Sequence, residues 1–169
     1  TGQLKLQSTD SIIIGGSPFG VGGTNLLLDS GVAAVNTNYN IATYQMSRVP
    51  EAGEVMTLTL WGNIGAGKIA WVARGSGGHI HQCTPTWVST GKYVATFPWV
   101  AWDGVHGAAN ELLIYVPPFE ITSTSWLYYA KLETGSIATD WSPSPQDTVD
   151  ALDALDGRLG DVETRVQVF

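Results

Sequence analysis

Cysteine is almost missing from this sequence, and charge is scarce. The one thiol, Cys83, can form no disulfide within the chain and has no Cys or His partners at zinc-site spacing. Lys and Arg number only 8 against 15 Asp and Glu, for a net charge of -7. The clustered positive charge that holds a nucleic-acid backbone is absent, so DNA and RNA are not expected partners. No apolar run is long enough to cross a membrane, so membrane insertion is not expected; no signal-peptide pattern is visible at Thr1, which by itself says little. The opening reads as the continuation of a longer chain.

What the sequence does have is 44% hydrophobic residues, 20 Gly, 7 Trp and 6 Tyr in 169 residues. That composition suits one β-rich domain with a real core, of the kind found outside cells. Residues 1–23 read as a lead-in linker: "LKLQSTDSIII" has room for a short strand and "GGSPFGVGG" for a flexible joint. From residue 24 the pattern turns to β. "GEVMTLTLWGN" alternates, with Met56, Leu58 and Leu60 on one face and Thr57, Thr59 and Trp61 on the other. "GKIAWVARG" sets Ile69, Trp71 and Ala73 on one side, and "GKYVATFPW", "NELLIYVPP" and "TSTSWLYYAKLE" are further strand candidates. Short strands separated by Gly, Pro and Asn turns predict an all-β fold, an antiparallel β-sandwich or jelly roll, over residues 24–146.

The last stretch, 147–169, changes character and carries six of the 15 acids. Leu152, Leu155, Leu159, Val162, Val166 and Phe169 follow one another at intervals of 3, 4, 3, 4 and 3 residues. That is the a/d seam of a coiled coil, with Arg158 at g and Glu163 at the following e. Asp147 is the expected cap of the helix start. A lone amphipathic helix lying on the body is the alternative, disfavoured by a narrow stripe and by Gly157 and Gly160.

Two segments carry a family resemblance. "GTNLLLDSG" (23–31) is similar to the Asn-Leu-Leu opening of carbohydrate-binding-like jelly-roll modules. "WLYYAKLETGSIATDWSPSPQD" (126–147) resembles the closing segment of such modules in bacteriophage tail fibres, tailspikes and receptor-binding proteins. The matching positions are Trp126, Ala130, Lys131, Leu132, Glu133, Gly135, Ala138, Thr139, Trp141, Pro143 and Pro145. The resemblance implies a non-enzymatic module on the virion tail, acting extracellularly and trimeric through its coiled coil. Its expected partners are neighbouring tail-fibre domains and host surface glycans. A disulfide-free protein fits that setting, because virion proteins fold in a reducing cytosol and leave by lysis. Two alternatives stay open: a structural spacer with no ligand, and a carbohydrate-binding module appended to a glycosidase. No cofactor is implied beyond the structural calcium that related sandwiches often hold, and no Asp/Glu cluster marks one here.

Motif chemistry adds little. Gly62, Gly67 and Lys68 nearly match a phosphate-binding loop, but Ile69 stands where Ser or Thr would hold magnesium, so a hairpin turn is expected. His79 and His81 share a strand face without a third metal ligand, His106 being distant. The nine acids of the body are scattered, with no paired-carboxylate or Gly-x-Ser-x-Gly pattern. Sugar rings stack their C–H faces on Trp and Tyr, and amides and carboxylates read their hydroxyls. The expected ligand residues are therefore Trp61 and Asn63 on the polar face of their strand. Trp99, Trp102, Asp103 and Asn110 in the Gly-rich loop join them, while Trp71 and Trp126 are expected in the core and Trp141 at the end of the domain.

Overall fold

The computed structural model describes residues 12–14, 17–19, 23–74, 80–101, 103–105 and 108–167. Apart from one C-terminal helix, these residues form antiparallel strands. β1 (Ile12–Ile14) and β2 (Ser17–Phe19) make a small hairpin, with Ile12 opposite Phe19. The Gly-rich stretch read as a joint therefore contributes a strand.

Two larger sheets build the body. Five strands lie in the order β3 (Ala34–Asn36), β11 (Ser125–Thr134), β5 (Val55–Asn63), β9 (Lys92–Pro98) and β8 (Thr86–Ser89). Four lie in the order β4 (Asn40–Gln45), β10 (Glu111–Tyr115), β6 (Trp71–Arg74) and β7 (Ile80–Cys83). Met56, Leu58, Leu60, Leu127 and Leu132 from the first join Tyr44, Val72, Leu112 and Ile114 from the second in one apolar core. The alternation in β5 thus buries the face expected. Ile69 precedes β6 and is exposed, so the strand-like reading of its segment holds only from Trp71.

The Gly62–Lys68 segment is not a hairpin turn. It carries the chain from β5 in one sheet to β6 in the other. Lys68 is buried and its ammonium donates to the Thr37 carbonyl at 2.9 Å, so it spans a loop instead of facing a phosphate.

The Asn-Leu-Leu opening closes the edge where the sheets meet. Leu26 N–H donates to the Leu132 carbonyl of β11, and Leu28 N–H donates to the Gln45 carbonyl of β4. Arg48, just past β4, holds the Glu54 carboxylate (Nη1 at 2.9 Å) and also the Thr134 hydroxyl at the end of β11. The Arg48 hydrogen bond lowers the Glu54 pKa to about 2, helped by the Glu51 N–H. A carboxyl whose folded pKa is depressed stabilises the fold above its usual range and loses that contribution as pH falls towards about 2. Arg48 is half exposed, so the pair is worth no more than about 1 kcal/mol. Glu54→Gln should cost at most that in urea unfolding at pH 7. The difference from wild type should close between pH 4.5 and pH 2, and a gap that persisted at pH 2 would assign the loss to packing instead.

Candidate functional site

The closing segment explains its own residues. Lys131 and Glu133 follow the polar side of β11, opposite Thr59 and Thr57 of β5, yet all four are buried. Residues 135–142 fold back over them. Gly135 turns the chain with φ of 97°, a conformation that costs other residues more. Thr139 then donates its N–H (2.8 Å) and hydroxyl (2.6 Å) to the Glu133 carboxylate. The Lys131 ammonium meets the Thr139 hydroxyl at 2.7 Å, the Asp140 carbonyl at 2.9 Å and Glu133 Oε2 at 3.6 Å. Asn25 is fully buried between the opening and closing segments. Its Nδ2 lies 2.8 Å from Ser30 Oγ and 2.9 Å from the Ser142 carbonyl, and its Oδ1 accepts the Leu27 and Leu132 N–H groups. Asn25, Lys131, Glu133 and Thr139, four of the residues in the two resembling segments, thus form a polar latch.

Trp141 ends the latch. Its indole stacks on Tyr129 with centroids 4.6 Å apart, and its Nε1–H donates to Ser30 Oγ. A Cβ at Gly31 would stand 2.8 Å from the indole, which is why the turn is glycine there. The side chain is only partly buried, so it clasps the outside of the sheet instead of plugging the interior.

Helix α1 (Pro145–Gln167) starts two residues earlier than expected. Ser144 is the N-cap: its hydroxyl accepts the Asp147 N–H at 3.1 Å, and Asp147 reaches back to the Ser144 N–H at 3.3 Å. This is a reciprocal capping pair with Pro145 at the first helical position. Both Asp147 oxygens also accept the Asp29 N–H at 3.1 Å, pinning the helix base to the body. Beyond that base α1 packs on no strand among the described residues. Leu152, Leu155, Leu159 and Val162 are more than half exposed, so the helix does not lie on the body. Phe169 and the Val166 side chain lie outside the described residues.

The expected ligand residues fall in separate places. Trp61 and Asn63 are partly buried on the outer face of the five-stranded sheet, with the Lys92 ammonium 5.3 Å from the Trp61 ring centre. Thr57 and Thr59 beside them are sealed by the latch, which leaves the face open at the Trp61 end and at Val55. Trp99 is a core residue, 2% exposed, packed between Phe97 and the Arg74 guanidinium. A ring so enclosed offers no face to a sugar. Asp103 is exposed and accepts the Val105 N–H at 3.0 Å, and Asn110 is exposed where β10 begins. Trp102, His79 and His106 lie outside the described residues. Trp61 pairs with Lys92 at one end of β9 while Trp99 follows its other end, roughly 20 Å away at strand rise. The Trp61 surface and the loop therefore cannot share one small ligand.

A third surface was not anticipated. Trp71 and Tyr115 lie on the side of the four-stranded sheet away from the main core, in a second apolar cluster with the buried Ala73 and Leu113; Tyr115 is 7% exposed, Trp71 and Tyr39 are partly buried, and the rings run from Tyr39, just before β4, to His81 of β7. Tyr39 meets Tyr115 at 4.7 Å, Tyr115 meets Trp71 at 5.7 Å, and Trp71 stacks on His81 at 5.0 Å. Burial raises the Tyr115 pKa, aided by Tyr39 and Glu111. Asn40, Thr43, Gln45 and Glu111 share this face by register and supply hydroxyl-reading groups. Trp71 was expected in the core; it packs, partly buried, against this second cluster and not in the main one, because alternation alone does not say which sheet face it takes. Trp126, paired with Asn63 and Val35, is likewise partly exposed and not core.

Among the described residues no three His, Cys, Asp or Glu side chains converge as metal ligands, so calcium rests on the resemblance alone. No protein-family model matches the chain, and no curated protein or solved structure matches it.

Proposed function

We propose that this chain is a non-enzymatic attachment module of a bacteriophage tail fibre or related receptor-binding protein, trimeric through α1 and binding a host surface glycan. The observation that carries it is the unpartnered leucine stripe on a helix whose base is locked to the body. Such a stripe is stable in water only when covered, and its heptad spacing fits other copies of itself. Asp147, which grips the body, sits about 120° around the helix from the seam. The body is thereby held clear of the seam, and three bodies can surround one stalk. The seam has aliphatic or aromatic residues throughout and no Asn to favour a dimer.

A jelly roll is supported by the strand order. β3-β11-β5-β9 facing β4-β10-β6-β7 is the order of eight strands wound as two Greek keys, with β8 added at one edge. Trp61 and Trp71, each partly exposed on an outer sheet side, support a glycan ligand, since ring faces bind sugar C–H groups and the amides and carboxylate that share the Trp71 side bind hydroxyls. Each site is shallow and weak, and three copies on one stalk multiply it without new contacts.

A glycan array and host-cell adsorption test the reading. Wild type should bind. Trp71→Ala or Trp61→Ala, checked for folding, should lower adsorption at least tenfold, of the order that loss of a stacking contact worth about 1 kcal/mol per copy produces in a trivalent binder. Retention of full binding by both variants would point to the spacer alternative.

A further inference from the structure

One charge on the body has no counterpart. Apart from Lys92, the described Lys and Arg residues before α1 are all engaged with oxygen. Arg48 holds Glu54, Lys131 pairs with Glu133, Lys68 donates to the Thr37 carbonyl and Arg74 donates to the Ala109 carbonyl. The Lys92 ammonium has neither a hydrogen bond nor an ion pair among the described residues; it stands over the Trp61 ring, 5.3 Å from its centre. It is not a guard against edge-to-edge sheet pairing, because β8 covers β9 on that side. Register sets Lys92 in a row. Tyr129 of β11, Trp61 of β5 and Lys92 of β9 stand opposite one another, spanning about 10 Å at the spacing of neighbouring strands. All three are at least partly exposed, Tyr129 to 41% even with Trp141 stacked on it. Asn63, two residues beyond Trp61 on the same face, is also partly exposed, and its side-chain amide has no hydrogen bond among the described residues. The surface thus combines aromatic rings, one unpaired cation and one unpaired amide, all reachable from solvent.

We infer that this row binds an acidic sugar, a uronic or sialic-type residue whose carboxylate pairs with Lys92. The inference rests on the glycan-attachment reading and names the ligand class of its Trp61 surface. The sugar lays a C–H face against Tyr129 and Trp61. Its carboxylate accepts from the Lys92 ammonium, a charge-assisted hydrogen bond stronger than a neutral one. The Asn63 amide, donor and acceptor at once, meets a ring hydroxyl. A carboxylate fits better than a phosphate or sulfate, which Arg forks hold best, and the described Arg residues of the body are committed to Glu54 and Ala109. A neutral sugar in the same place would strip water from the ammonium and return no charge to it. The net charge of -7 does not prevent this, because six of the acids lie in 147–169 and exposed charges are screened beyond about 8 Å at physiological ionic strength. The two outer sheet sides then sort ligands by charge. The Trp71 side carries the Glu111 carboxylate, bonded to Gln45, and repels an acid that the Lys92 side attracts.

Titration calorimetry on the full chain tests this with sialyllactose against lactose, and with trigalacturonic acid against its methyl ester. The acids should bind, and lactose and the ester should bind about tenfold more weakly, the size of one charge-assisted hydrogen bond. Lys92→Met keeps the reach of the side chain and removes its charge, and should bring the acids down to their neutral counterparts. Lys92→Gln makes the same test if the methionine variant fails to fold, and Lys92→Arg should keep most of the binding. Raising the salt to about 0.5 M should weaken the acids in wild type and leave Lys92→Met unchanged. Equal binding of acid and neutral partner, or full binding of the acids by Lys92→Met, overturns the inference. Sulfated lactose binding as tightly as sialyllactose overturns it too, by reducing the site to one for any anion. So does a lower light-scattering mass for Lys92→Met, which would assign Lys92 to a contact between copies. If only neutral glycans bind, and Trp71→Ala loses them while Lys92→Met keeps them, the attachment reading stands and the acidic-sugar inference falls. If no glycan binds at all, both fall.

Discussion

Leu155→Asp combined with Leu159→Asp should convert a trimer into single chains, seen as a fall in light-scattering mass to that of one chain. The substitution puts six carboxylates into one seam, where each must shed water beside like charges. Because α1 packs on no strand among the described residues, the body should keep its near-UV circular dichroism and its melting transition. Cell binding should fall by roughly a hundredfold to ten-thousandfold, the range over which linkage multiplies weak sites. A monomeric wild type would remove the stalk from the picture altogether.

Lys131→Met should be the most damaging single change in the body. It leaves Glu133, with no exposed surface, as a buried carboxylate without its ion partner. Breaking one side of such a pair costs about 3–5 kcal/mol, which for a domain of this size lowers the melting temperature by on the order of 10 °C. Adding Glu133→Leu should recover much of the loss, since an apolar pair of similar volume often replaces a buried ion pair without penalty. Urea unfolding of the single and double variants measures both. A single variant as stable as wild type would show that Thr139 alone satisfies the carboxylate.

Much of the fold was legible because β5, β9, β10 and β11 announce themselves by alternation and turn residues. The C-terminal helix was legible for the same reason, its period being unlike that of the strands before it. The edge strands β3, β7 and β8 are three or four residues long, too short for a period to register. The site was less legible. Thr57 and Thr59 look like a wet strand face, and they are dry because a segment about 80 residues later folds over them. Trp99 looks like a loop aromatic, and it is interior because Arg74 and Phe97 enclose it. Trp71 looks like core, since the same alternation describes either face of a sheet. Asp147 was read as the cap, although Ser144 holds that place and Asp147 closes the pair three residues on. In each case the local pattern was right about spacing and silent about what arrives from elsewhere in the chain.

The latch also decides what happens under tension. Any drag on α1 enters the body through residues 135–144 and the Asp147 contact with Asp29, because α1 packs on no strand among the described residues. That segment is held by a handful of side-chain hydrogen bonds to Asn25, Lys131 and Glu133, while β11 behind it is laced to β3 and β5 along its length. The side-chain bonds are loaded before the ladder is, so the segment peels first and pays out about 30 Å of slack at extended-chain reach. β11 stays in place as the template on which the segment re-seats. The latch is thus a short mechanical fuse, which under a pull on α1 gives way before the sheet behind it.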